Sequence, residues 1–239
     1  MLRHRRKLST PKVIKQILIY VVAFGVAVVL MRQVRKPHRW MGRPFLWIMN
    51  RTHSALTDWG LEHVAIEKVF AILDVGCGGG RTTQKLAAIA SEGLVYGVDY
   101  ASGSVAASRR KNAELIKAGR VEIHQGSVSH LPFPDAKFDL VTAVETQYYW
   151  PDLVTDMKEI RRTLKPGGRL IIIAETFSGG RFDDLKGSVM ALLGSNALSE
   201  EGQRELFRSA GYEEVETFVE QRKGWICVVG RRPIHAKEM

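Results

Sequence analysis

The chain has 239 residues, of which 45% are hydrophobic, 25% charged and 8% aromatic. At roughly 100–200 residues per domain this is one domain with an appendage or two small ones, and the balance excludes a disordered chain, a collagen-like chain and a polytopic membrane protein. The formal net charge is +10, and two cysteines, Cys77 and Cys227, are too few for a disulfide scaffold or a cysteine zinc site, so a reducing compartment is expected.

The positive charge is local. Residues 1–40 carry ten Lys/Arg and no Asp or Glu, which leaves 25 Lys/Arg against 25 Asp/Glu in residues 41–239. A nucleic-acid-binding domain is expected to carry its basic patch on its own surface. Here the excess belongs to a tail with a hydrophobic centre. Ile17 to Met31 is a run of fifteen uncharged residues, and extension back to Val13 gives nineteen. As a helix, 13–31 spans roughly 28 Å against a hydrocarbon core of about 30 Å. Lys15, near one end, can snorkel. The run ends in Met31-Arg32-Gln33-Val34-Arg35-Lys36, without a small-residue cleavage pattern. An uncleaved membrane anchor is therefore expected. A cleaved targeting peptide and an ordinary core helix are the alternatives. Six Lys/Arg on each side leave its orientation open. Trp40, Phe45 and Trp47 belong either at the lipid–water interface or against the globular domain.

From residue 41 to 69 the chain reads as a helical lead-in, with Phe45–His63 as the helix. Strands and helices then alternate from 70 to 232, before a tail at 233–239. Strands are expected at Phe70–Val75, Leu94–Val98, Val121–His124, Phe138–Val144, Arg169–Ala174, Val215–Val219 and Trp225–Val229. Helices are expected at Arg81–Ala90, Ser104–Ala118, Asp152–Leu164 and Glu200–Ala210. Leu131–Lys137 is a proline-broken loop, and 176–198 is irregular. Alternation of this kind means βαβ units in a doubly wound α/β fold with a mostly parallel sheet. The last two strands are joined by a short turn and form a hairpin, so one runs antiparallel to the rest.

The strongest local signal is Ala71-Ile72-Leu73-Asp74-Val75-Gly76-Cys77-Gly78-Gly79-Gly80-Arg81-Thr82-Thr83. A buried strand feeds a glycine loop that opens a helix. Glycines allow close backbone approach to a ligand, and a helix start offers free N–H groups. A dinucleotide fingerprint has Gly or Ala at its sixth position. Here that position is Arg81, and the spacing is Gly76, Gly78, Gly80. Asp99 ends the next strand, 23 residues after Gly76. A carboxylate there can accept both hydroxyls of a ribose, or cap the following helix. The pair points to a nucleoside ligand.

Residues 50–232 resemble class I S-adenosylmethionine-dependent methyltransferases, and within them the small-molecule subgroup that includes quinone-biosynthesis enzymes. The matching segments are Leu73–Gly80 (LDVGCGGG), Gly97–Tyr100 (GVDY), Leu131–Val141 (LPFPDAKFDLV) and Leu164–Ile171 (LKPGGRLI), in order and at the family's spacing. The resemblance implies a Rossmann-like seven-stranded sheet and S-adenosylmethionine as co-substrate. It places Gly76, Gly78 and Gly80 beneath the methionine part, with Cys77 in the loop for its small size. Asp74 orients the loop or meets the ammonium end, Asp99 holds the ribose, and Tyr100 lies beside the adenine. The family often has an acidic residue after the third strand to bond the adenine. Ser127 stands there in this chain, so adenine recognition falls on Ser127, backbone groups of Val128 and stacking.

Acceptor-side residues are expected where open α/β sheets bind ligands, at the C-terminal ends of the strands. The fourth strand leads into Glu145-Thr146-Gln147-Tyr148-Tyr149-Trp150. Glu145 is a candidate for the methionine ammonium or for a general base. Tyr148, Tyr149 and Trp150 are candidate walls, with aromatic faces suited to a sulfonium by analogy with cation–π contacts. Glu175 and His130 are further candidates. The seven histidines are scattered, so no metal is expected, and no nucleic acid. Phe177–Leu198 is expected to wall the acceptor. The reading is a membrane-anchored methyltransferase acting on a small, lipid-soluble acceptor, its domain on the cytoplasmic side where the methyl donor is supplied. A non-catalytic adenosylmethionine-binding membrane protein and a nucleotide-cofactor oxidoreductase are the alternatives.

Overall fold

The structure is a computed structural model that describes residues 54–175 and 198–234. The apolar stretch 13–31, residues 45–53 of the lead-in, most of 177–198 and the tail from 235 lie outside the described residues. No helix among the described residues is long and apolar enough to cross a membrane.

The described elements run α1 (Ser54–Leu61), β1 (Ala71–Val75), α2 (Arg81–Ile89), β2 (Leu94–Asp99), α3 (Ser102–Lys111), α4 (Ala113–Lys117), β3 (Val121–Gln125), β4 (Phe138–Val144), a 3-10 turn (Gln147–Tyr149), α5 (Leu153–Thr163), β5 (Leu164–Glu175), α6 (Glu200–Ser209), β6 (Glu213–Glu220) and β7 (Trp225–Arg231). They build a seven-stranded sheet in the order β3-β2-β1-β4-β5-β7-β6. Strands β1 to β5 pair in parallel, and β7 enters antiparallel between β5 and β6. Strand order reverses between β2 and β4, on either side of β1. That is the switch point at which such sheets open a crevice.

Successive strand residues point to opposite faces, and both faces are covered. Ile72, Ile171 and Ile173 join a core with Leu56 of α1, Leu86 of α2 and Val105 of α3. Leu73, Leu170 and Ile172 join the opposite core with Met157 and Ile160 of α5 and Phe207 of α6. Truncating one of these buried side chains to alanine costs about 2–5 kcal/mol.

Two elements differ from the sequence reading. The single helix expected over Ser104–Ala118 starts at Ser102 and is split at Asn112, whose amide donates to the Gly80 and Ser108 carbonyls at 3.0 Å each. That side chain ties the glycine loop to the end of α3. β5 begins five residues early, at Leu164, and absorbs Pro166-Gly167-Gly168. Gly167, at φ 78°, turns the backbone so that its N–H donates to the Arg232 carbonyl at 3.0 Å. Pairing therefore continues through a stretch that reads as a breaker.

Candidate active site

A cavity of about 390 Å³ lies at the C-terminal ends of β1, β2 and β4, within the usual range for small-molecule pockets. Its floor is the loop after β1. The Gly76 and Cys77 amides both donate to the Val98 carbonyl, at 2.8 and 3.0 Å, and fasten the loop to β2. Three glycines serve three purposes. A Cβ at Gly76 would meet the Thr146 side chain at 2.4 Å, and one at Gly80 would meet Ser108 and Asn112 at 2.4 and 2.5 Å. At Gly78 the nearest protein atom would be 3.9 Å away. Gly76 and Gly78 line the cavity, whereas Gly80 does not and is packed against α3 instead.

Asp74 is buried beneath this loop. One carboxylate oxygen accepts from the Thr83 hydroxyl at 2.7 Å and the other from Thr142 at 3.0 Å. Parallel pairing sets Asp74 beside Thr142, and α2 brings Thr83 back over it. Burial pushes its carboxyl up to about 6, against the pull of the two hydroxyls. Asp74 thus ties β1, α2 and β4 together under the loop. Cys77 is also buried, and burial raises its thiol well above the ordinary range. Its sulfur sits 3.8 Å from the Ser108 hydroxyl, a neutral packing group on the cavity wall.

Asp99, at the end of β2, is 8% exposed. Its two oxygens accept from the Gly78 amide at 3.0 Å and the Ala101 amide at 2.8 Å. Burial raises its pKa, while these amides and Ser104 lower it. Both oxygens keep lone pairs for a ligand diol. Tyr100 is 45% exposed on the same wall. Ser127 and Val128 face the cavity beside it with Gly126, and the Ser127 hydroxyl accepts from the Ser129 amide at 3.2 Å.

Glu145 stands on the opposite wall at φ 56°, a conformation that costs a non-glycine residue about 1–2 kcal/mol. One oxygen accepts from the Glu175 amide at 2.6 Å and lies 3.3 Å from the Tyr148 hydroxyl. Burial pushes the carboxyl up to about 7; Glu175 adds repulsion, and the two donors oppose the rise. Tyr148 is 3% exposed and does not line the cavity. Its hydroxyl donates to the Glu175 carbonyl at 2.8 Å, so it braces Glu145 from behind. Tyr149 and Trp150 are on the wall. Glu175 approaches through its backbone, with its side chain exposed. His130 is exposed and off the cavity, because its amide turns back to the Ser127 carbonyl at 3.1 Å.

Sequence reading missed Ser54 and Thr57 of α1, and Arg81, Thr82 and Lys85 of α2, all on the wall. Arg81 carried a signal only as a departure from the dinucleotide pattern; the others carried none. No cluster of metal-ligating side chains occurs among the described residues.

The geometry suits an adenosyl ligand: a buried carboxylate for a diol, a glycine floor fastened by its own amides and an open position at Gly78. A family model described as a methyltransferase domain matches residues 73–172. Residues 73–172 thus form a methyltransferase domain of the S-adenosylmethionine-dependent kind. Among curated relatives, an uncharacterised methyltransferase, YdaC, of Bacillus subtilis (strain 168) is 24% identical over 78% of this chain and 97% of its own. A demethylmenaquinone methyltransferase of Bacillus licheniformis is 32% identical over 52% of each chain. The chain spans about half the length or less of several curated relatives that it matches at 30–37% identity. In fold, an S-adenosylmethionine-dependent methyltransferase from Aquifex aeolicus aligns with a TM-score of 0.63 at 18% identity, covering 79% of this chain and 97% of that one. The methyltransferase domain so placed spans the whole floor and the Asp99 and Glu145 walls.

Proposed function

We propose that this methyltransferase transfers a methyl group from S-adenosylmethionine to a small, lipid-soluble acceptor at a membrane, with its catalytic domain on the cytoplasmic side. The carrying observation is the buried Asp99 carboxylate fixed against the Gly78 amide over a cavity at the switch point. The quinone-type relatives favour a small acceptor, and the acid-free basic segment with its apolar run at 13–31 favours a membrane.

The donor supplies a methyl group on a sulfonium, already activated for displacement. The protein's task is then mainly alignment. Asp99 accepts the ribose hydroxyls. The loop from Gly76 to Gly79 lets the chain pass close beneath the amino-acid part. Tyr149 and Trp150 shield the reacting end from water and offer aromatic faces to positive charge. Glu145, with a carboxyl near 7, takes the acceptor's proton as general base. Tyr148 and the Glu175 amide hold it in place.

The test is incubation of the full chain with methyl-labelled donor and cell extract, followed by separation of lipid from aqueous products. Label in the lipid fraction supports the reading. Label confined to aqueous products contradicts the lipid-soluble acceptor, and no label contradicts transfer.

A further inference from the structure

The ligand cavity has a neighbour. An open groove of about 520 Å³ lies between α1 and α2, with Leu61, Ala88 and Ile89 among its walls. Ser54, Arg81 and Lys85 line both spaces, so they form the partition between them. The two helices are fixed in place. Leu56 of α1 and Leu86 of α2 are buried in one core, and Gly60 packs so closely on Ile173 that a Cβ there would lie 2.5 Å from it. Lys85 spans the groove between them. Its ammonium donates to the Ser54 hydroxyl at 2.9 Å and carbonyl at 3.2 Å, and pairs with Asp58.

This bridge is easily broken. The Asp58 side chain is 58% exposed, and an ion pair in contact with water contributes little. A lysine carries its charge on a flexible four-carbon stem. Rotation of that one side chain removes the link across the groove while both helices stay packed. Glu145, Tyr149 and Trp150 line the cavity but not the groove. The groove therefore meets the cavity away from the wall assigned to the acceptor.

We propose that Lys85 is the gate of a side portal through which the methyl donor enters and its spent product leaves, a role that rests on the donor reading of the cavity. With Lys85 bridged to Ser54 and Asp58 the portal is closed. With the side chain swung out, cavity and groove are one space. The spent product then leaves without displacing what is held at Tyr149 and Trp150. A gate sets one barrier that is crossed in both directions, so it governs the rates of exchange and leaves the affinity alone.

The test is surface plasmon resonance of the full chain with S-adenosylhomocysteine, read as separate association and dissociation rates. Lys85→Ala should raise both rates about fivefold or more and change Kd less than twofold. Lys85→Arg keeps a cation of similar reach and should stay within twofold of the native rates. Added salt screens an exposed ion pair, so it should speed exchange in the native chain and not in Lys85→Ala. Asp58→Ala should raise both rates together by a smaller factor, and carries the test if Lys85→Ala does not fold. Unchanged rates in Lys85→Ala would overturn the gate. So would faster dissociation at an unchanged association rate, which marks a ligand contact instead. A native chain that binds no S-adenosylhomocysteine would overturn the donor reading on which the gate rests.

Discussion

The Asp99 carboxylate accepts a hydrogen bond from the Gly78 amide at 3.0 Å, across the mouth of the turn that links β1 to α2. One residue ends β2 and the other belongs to the β1 loop, so a ligand held by Asp99 is set against the glycine floor. Asp99→Ala removes a charged acceptor whose bonds are each worth about 1.5–3 kcal/mol. Binding of S-adenosylhomocysteine, read by calorimetry, should weaken by tenfold or more. Unchanged affinity would remove Asp99 from the site.

The glycines separate packing from ligand space. Gly78→Ala and Gly80→Ala both pay for a left-handed backbone, at φ 51° and 79°. At Gly80 the new methyl also collides with Ser108 and Asn112, whereas at Gly78 it meets no protein atom closer than 3.9 Å. Gly80→Ala should therefore lower the melting temperature more than Gly78→Ala. Among variants that remain folded, Gly78→Ala should weaken ligand binding more. Thermal melts and titrations on both variants decide it, and the reverse order would contradict the assignment.

Glu145 gives a pH dependence. Its carboxyl is raised to about 7 by burial. A general base works when ionised, so kcat/KM should fall about tenfold per pH unit below about 7 and level off above it. Glu145→Gln should lower turnover by 100-fold or more and abolish that acid limb. An unchanged pH profile in the variant would exclude Glu145 as the base.

Tyr148 acts through Glu145. Its one hydroxyl proton is shared between the Glu145 carboxylate at 3.3 Å and the Glu175 carbonyl at 2.8 Å, and the share to the carboxylate favours its ionised form. Tyr148→Phe removes that support, so the acid limb should move to higher pH by less than about one unit, and the orphaned carbonyl should cost about 1–3 kcal/mol of stability. A limb that stays in place, measured beside a denaturant titration, would leave Tyr148 with a purely structural part.

Deletion of residues 1–40 should release the chain from lipid vesicles without unfolding the domain, as the charge excess and the apolar run leave together. A truncated protein that still pellets with vesicles would contradict the anchor.

Much of the fold is legible in the sequence because its cues are local. The apolar runs of β1, β4 and β7 and the turn before Trp225 mark strands whatever their neighbours. The mostly parallel seven-stranded sheet is legible through the alternation and the family resemblance; its strand order and the break at Asn112 are not. At that break the Asn112 side-chain amide reaches the Gly80 carbonyl, 32 residues away. The same distinction divides the site. Asp74, Gly76, Gly78 and Asp99 announce themselves by spacing. Arg81 and Lys85 share a face of α2, but Ser54 joins them only when α1 folds against it. Tyr148 and Glu145 are neighbours on paper, but which one faces the cavity depends on a left-handed residue and on the Glu175 backbone, 30 positions away. His130 sits near a matching segment, yet the turn to Ser127 directs it outward.

A crystal structure of the full chain with S-adenosylhomocysteine tests the central claim most directly. The account predicts ribose hydroxyls on the Asp99 carboxylate, the sulfur above Gly76–Gly78 and its open lone-pair side, where the donor would carry its methyl group, facing Glu145, Tyr149 and Trp150. The ligand bound away from Asp99, or a cavity that stays empty at saturating ligand, would contradict it.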